Sequence, residues 1–219
     1  MTPPLSGTTS TDQETRRLQM VERQLRRRGI GDERVLRAMA EVPREEFVAE
    51  RDRDFAYRDG ALGIEEGQTI SQPWIVAFMT MALGLRGDET VLEVGTGSGY
   101  GAAVLSRVCR EVVSIERHAA LAARAAATLE RLGYDNVEVR TGDGTAGAPD
   151  RAPFGGISVT AAASGGPPPA LVAQLAPGAA LVCPVQRDGG EALVHFLDGE
   201  TTQLAPVRFV PLVEGEAEP

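Results

Sequence analysis

The chain contains no lysine, and all 22 of its basic residues are arginine. No motif requires a guanidinium at so many places, so this reads as compositional bias. Cysteine and histidine are scarce, two of each. Cys109 and Cys183 lie far apart without a CxxC spacing, with only His118 and His195 to assist them. That argues against a structural zinc site, and both cysteines read as core residues. No apolar run approaches the ~18 residues needed to cross a membrane. The opening residues, with Pro3, Pro4 and a Ser/Thr cluster, lack the apolar stretch of a secretory signal. A cytoplasmic location is expected, with a disordered tail over residues 1–12. The net charge is −9 and the pI near 4.9, which excludes a broad basic field for nucleic acid. The arginines at 23 and 26–28 share their segment with Glu22 and Gln24 and read as a solvated helix face.

What is present suffices for one core. With 219 residues, 42% of them hydrophobic, a single domain over 13–219 is expected. It divides into a helical and substrate-loop part, 13–84, and a cofactor-binding α/β core, 85–219. Leu18, Val21 and Leu25 recur at helical spacing up to Gly29, and Asp32 is placed to cap a second helix that Pro43 ends. Residues 56–71, rich in glycine, read as a loop before a helix at 73–83. Strands follow at 90–94, 111–116, 136–140, 156–161, 180–185, 192–197 and 204–210, with helices at 99–108, 118–132 and 167–175. This alternation predicts a doubly wound, mostly parallel seven-stranded sheet, Rossmann-like, closed by an antiparallel hairpin turning at Asp198 and Gly199.

Residues 91–100, VLEVGTGSGY, are the most informative stretch. An apolar strand ends in an acid, and glycines at 95, 97 and 99 then open a helix. Residues without a Cβ allow a tight turn and close approach of a ligand to the main chain, beside the unpaired N–H groups of a helix start. Several cofactor classes use such a cradle. Glu93 would disfavour a pyrophosphate but suit a cofactor carrying an ammonium and a sulfonium. Glu116 ends the next apolar run, where a carboxylate can hold ribose hydroxyls, and Asp143 stands at a third strand end, where it can accept from an adenine amine. Three such acids favour S-adenosyl-L-methionine over NAD, although each taken singly also reads as a helix cap or a loop residue.

The chain resembles the protein-L-isoaspartate (D-aspartate) O-methyltransferase family from about Met20 to Val213. The resemblance rests on Arg28-Gly29-Ile30, Val42-Pro43-Arg44-Glu45 with Phe47, the run Gly67-Gln68-Thr69-Ile70-Ser71-Gln72-Pro73, the cradle, Ser114-Ile115-Glu116-Arg117, Gly142-Asp143-Gly144, Val159-Thr160-Ala161-Ala162 and Arg208-Phe209-Val210-Pro211-Leu212. It implies an S-adenosyl-L-methionine-dependent carboxyl methyltransferase acting on isoaspartyl or D-aspartyl residues. Ser71 would touch the substrate carboxylate as the catalytic residue, with Ala161, Ala162, Val210 and Pro211 also on the substrate. Thr69, Ile70, Glu93, Gly95, Thr96, Gly97, Ser98, Gly99, Glu116, Arg117, Asp143, Gly144 and Thr160 would hold the cofactor, with no metal. Without the family, Ser71 reads as a capping serine ahead of Pro73.

Departures cluster near the expected substrate side: Gly155 where the family has aspartate, Ser164-Gly165-Gly166 before Pro167, Ala179 in place of glycine, and Gln186. They raise a second reading, a family member dedicated to a biosynthetic precursor peptide that methylates a normal aspartate to give an aspartimide. More remote readings are a nucleotide-binding oxidoreductase and a non-catalytic S-adenosyl-L-methionine-binding protein. The expected partner is a peptide or protein, with neither nucleic acid nor membrane. The sequence leaves the oligomeric state open, with a monomer as the default.

Overall fold

In a computed structural model that describes residues 10–217, helix α1 (Ser10–Met20) runs into a π turn at Val21–Leu25 and a 3₁₀ turn at Arg26–Arg28. Gly29 ends it with φ +93°, a left-handed conformation open to glycine. The last residues of the expected tail, 10–12, are therefore helical, and residues 1–9 lie outside the described residues. Asp32 caps α2 (Glu33–Glu41) by accepting from the Arg34 N–H at 2.8 Å, and Val35, Leu36 and Met39 bury its apolar face. Within 56–71, expected to be irregular, the chain forms a small antiparallel ribbon, β1 (Leu62–Gly63) with β2 (Thr69–Ile70). Helix α3 (Pro73–Ala82) follows with proline in its first turn.

The sheet has seven strands in the order β5-β4-β3-β6-β7-β8-β9. They are β3 (Thr90–Val94), β4 (Glu111–Glu116), β5 (Val137–Thr141), β6 (Phe154–Val159), β7 (Leu175–Arg187), β8 (Gly190–Leu197) and β9 (Glu200–Val207). The first five in that spatial order are parallel, and β8 and β9 add antiparallel edge strands. Asp198 (φ +49°) and Gly199 (φ +87°) turn the closing hairpin, both in the left-handed region such a tight turn demands. Helices α4 (Tyr100–Leu105), α5 (Ala119–Arg131) and α6 (Pro169–Val172) complete the order. The pleat sorts the strand residues between two cores: Val91, Val112 and Val182 face the N-terminal helices, while Leu92, Val113 and Leu181 face α6. From β3 the chain winds toward β5, and from β6 it winds the other way. The crevice at the carboxyl ends of β3 and β6 is thus the place where open α/β sheets bind ligands.

Three local expectations change. Helix α6 is much shorter than 167–175, because the three prolines at 167–169 delay its start and β7 begins at Leu175. Strand β6 begins at Phe154, which puts Gly155 near its amino end, opposite the ligand crevice. There a Cβ would run into the Glu89 side chain, so Gly155 answers to packing and does not loosen the substrate side. Gly165 and Gly166, by contrast, lie beyond the carboxyl end of β6, where a Cβ would meet no neighbour within 4 Å. Both cysteines are buried and free, as core residues should be. Among the described residues no helix is long and apolar enough to cross a membrane.

Candidate active site

The three glycines of the cradle take φ +96°, +53° and +88° at 95, 97 and 99, so the strand-to-helix turn is built from conformations that side chains resist. Main-chain bonds stitch it to β4: the Gly95 and Thr96 N–H groups donate to the Ile115 carbonyl at 2.8 and 3.3 Å. Side chains complete the frame. Thr160 donates its hydroxyl to the Gly95 carbonyl at 2.7 Å, and a Cβ on Gly95 would collide with that hydroxyl. Thr96 and Ser114 hydroxyls lie 2.6 Å apart, and Ser114 in turn donates to Glu93 at 2.6 Å.

The cradle floors a cavity of about 600 Å³, within the usual range for small-ligand sites. Two buried acids stand in that floor. Burial pushes the Glu93 carboxyl up to about 8; the Ser114 hydroxyl opposes this and the Glu116 charge adds to it. A Cβ on Gly101 would strike the Glu93 carboxylate, so glycine there leaves room for the acid. Glu116 accepts from the Gly97 N–H at 2.8 Å and the His118 N–H at 3.0 Å, one on each oxygen. Each oxygen retains acceptor capacity for a ligand hydroxyl.

Two segments distant in sequence form the upper walls. The β1–β2 ribbon lies against α5 through an ion pair of Glu65 with Arg124 and a 3.9 Å approach of Glu66 to His118 Nδ1. It carries Thr69, Ile70 and Ser71 to the cavity. Ser71 does not cap α3, whose N-cap is Gln72, and among the described residues its hydroxyl has no hydrogen-bond partner. It faces the cavity unspent. Across from it runs a strap, residues 208–213, held by the Ala162 N–H on the Val210 carbonyl and the Leu212 N–H on the Ala162 carbonyl, both 2.8 Å.

Of the residues expected at the site, Thr69, Ile70, Ser71, Glu93, Gly95, Thr96, Gly97, Ser98, Glu116, Arg117, Gly144, Thr160, Ala161, Val210 and Pro211 all line this cavity. Gly99, Asp143 and Ala162 do not. Gly99 turns the chain into α4 and packs against Ala125 and Leu129, while Ala162 is spent on the strap. Asp143 accepts from the Thr145 N–H at 2.8 Å and its hydroxyl at 2.7 Å, both on Oδ1. Burial alone would raise its carboxyl, but these donors and the Arg117 charge hold it below the usual range. Asp143 thus orders its own turn through Oδ1, which leaves Oδ2 with acceptor capacity for a ligand. Gln68, Gln72, Ile75, Val76, Tyr100, Gly101, Arg208 and Phe209, to which the sequence assigns no role, line the cavity too. All but Ile75, Val76 and Gly101 fall inside the family-like runs. Those three belong to first helical turns beside them, a position that was itself the signal.

Comparison with known proteins agrees with this geometry. The family model described as protein-L-isoaspartate(D-aspartate) O-methyltransferase matches residues 15–217. A protein-L-isoaspartate O-methyltransferase 1 from Rhodopseudomonas palustris is 50% identical over 222 residues, covering 98% of this chain and 89% of the relative. One from Anaeromyxobacter sp. is 56% identical over 191 residues, covering 84% and 90%. A solved protein-L-isoaspartate O-methyltransferase superposes with TM-score 0.80 at 29% identity, over 90% of this chain and 65% of that longer one. A Plasmodium falciparum protein of the same description, solved with S-adenosyl-L-homocysteine, gives TM-score 0.75 at 25% identity, covering 90% and 98%. The chain belongs to the protein-L-isoaspartate(D-aspartate) O-methyltransferase family.

Proposed function

We propose that this chain transfers a methyl group from S-adenosyl-L-methionine to the free carboxylate of an L-isoaspartyl or D-aspartyl residue in a peptide or protein. The observation that carries the reading is a cavity with a buried acidic floor and, on its wall, a serine hydroxyl with no partner among the described residues. The floor fits the cofactor's chemistry: an ammonium beside Glu93 draws that buried acid into its charged form, Glu116 has oxygens left for ribose hydroxyls, and the glycines let the ligand lie against the main chain. When bound, the cofactor supplies a methyl group made electrophilic by its sulfonium.

The chain itself needs no general base. An aspartyl-type carboxylate, which ordinarily titrates near about 3.9, is ionised at neutral pH and already nucleophilic. What remains is alignment and exclusion of water. Ser71 donates its hydroxyl to one carboxylate oxygen and orients the other toward the methyl carbon, while the ribbon and the strap, with Val210 and Pro211, shield the line of attack. The ester so formed is a better acyl donor than the carboxylate: the following backbone nitrogen attacks its carbonyl, gives up its proton and expels methanol, closing a succinimide without help from the protein. Hydrolysis of that ring regenerates some normal aspartate, which makes the cycle a repair.

The dedicated-peptide reading gains no support, since relatives about half identical over nearly the whole chain carry the isoaspartate name and Gly155 lies away from the crevice. The two free thiols fit a reducing, cytoplasmic setting. Labelled methyl transfer to matched peptides bearing isoaspartate or normal aspartate tests the proposal. Strong preference for isoaspartate is expected; activity on the normal aspartate alone would replace it with the precursor-peptide function.

A further inference from the structure

The geometry points to Arg208 as the residue that recognises the substrate's carboxylate at the cavity mouth and, because methylation abolishes that charge, favours reactant over product. This rests on the carboxylate-methylation reading above and deepens it.

The acidic and basic side chains lining the cavity fall into three kinds. Glu93 and Glu116 are buried in the floor, on the cofactor side. Arg117 and His118 are engaged: Arg117 donates to the Gly215 carbonyl at 3.4 Å, and His118 stands 3.9 Å from Glu66. Arg208 is different. It is exposed, lines the same cavity as Ser71, and its guanidinium makes no hydrogen bond or ion pair among the described residues. The acid on the neighbouring strand, Glu191, is committed to the Phe209 N–H at 2.6 Å. That bond and the two Ala162 bonds pin the main chain just beyond Arg208. A fixed backbone therefore presents an unspent cation at the rim of the site that holds the free serine.

Physical chemistry gives this placement a task. The chain carries a net charge of −9, a field that repels an approaching carboxylate. Exposed charges act only within a Debye length of about 8 Å at physiological salt, so a local cation outweighs distant acids. The attraction acts on the ionised substrate and vanishes in the neutral ester, which helps release. In an exposed, high-dielectric position it stays modest and does not immobilise the attacking oxygen pair. Arg208 is thus a specificity residue for capture and leaves the transfer step to Ser71.

Arg208→Gln and Arg208→Lys, assayed with an isoaspartyl peptide at low and high ionic strength, test this. At low salt the glutamine variant is expected to raise KM for the peptide about fivefold, with kcat and cofactor affinity unchanged. The lysine variant should recover most of that loss, and only the wild type and lysine variant should show KM rising with salt. A methyl-ester peptide should inhibit all three alike. A glutamine variant with wild-type KM at low salt, or a lysine variant as impaired as glutamine, would overturn the role for charge. Absence of wild-type turnover on the isoaspartyl peptide would instead overturn the functional reading beneath it, so the two failures are distinguishable.

Discussion

The floor and the walls of the cavity are built on opposite plans. The floor is main chain held inside a sheet: glycines in left-handed conformations, carbonyls and N–H groups paired with β4, and acids buried and hydrogen bonded. The walls are a ribbon of two-residue strands and a strap, joined to the body by exposed ion pairs and a few backbone bonds. The first plan fixes a cofactor common to every turnover. The second suits peptide substrates of varied sequence, because segments with few buried contacts open at low cost. Substitutions in the floor should therefore be severe and specific to the cofactor, and those in the walls mild and specific to the peptide.

The largest break should come at Gly95. Valine there adds a strained left-handed φ, about 1–2 kcal/mol, to a collision with the Thr160 hydroxyl. Cofactor affinity measured by calorimetry should fall by roughly a hundredfold or more. Next is Glu116→Ala, which leaves the Gly97 and His118 N–H groups without their acceptor, at about 1–3 kcal/mol for each donor left buried. A tenfold or larger rise in cofactor Kd is expected, with a lowered melting temperature; an unchanged Kd would remove the acid from the binding floor.

Glu93 sharpens the contrast through pH. Its folded pKa, about 8, lies above the unfolded carboxylate value, so the folded state holds the extra proton between the two. Its contribution to stability is full at low pH and is lost as pH rises from about 5 to about 8. The loss is on the order of a few kcal/mol. Glu93→Gln should flatten that part of the stability–pH curve of the cofactor-free protein, as read from denaturant titrations. A curve of unchanged slope would mean the acid is not buried as described. The smallest effect belongs to the wall: Glu65→Ala breaks a half-exposed pair with Arg124, worth at most about 1 kcal/mol. Peptide KM should change by less than about fivefold, and cofactor Kd should not move.

The same division explains what could be read from the chain. The floor was legible because its signal is local: three glycines at fixed spacing after an apolar strand, with acids at successive strand ends, and the sheet assembled around them as its alternation implied. The ribbon was not, because strands of two residues carry no alternation to detect. Gly155 looked like a substrate-side departure until the register of β6 placed it beside Glu89, a long-range packing fact. Asp143 stands at its strand end as expected but outside the residues that line the cavity, where it orders its own turn through Thr145. Arg44 was visible only as part of a family run. In the fold it is fully buried against the Tyr100 ring at 4.8 Å, donates to the Ala56 carbonyl at 2.7 Å, and burial pulls its guanidinium down to about 10. No pattern in sequence announces a lone buried arginine.

Ser71→Ala tests the central claim most directly, because Ser71 belongs to the wall yet acts on the reaction. Cofactor Kd and the rate of methyl transfer to an isoaspartyl peptide should be measured on the same preparation. The account predicts an unchanged Kd and a rate lowered roughly ten- to a hundredfold, the worth of a hydrogen bond to a charged oxygen. Wild-type turnover in that variant would contradict it and return Ser71 to the wall as a bystander.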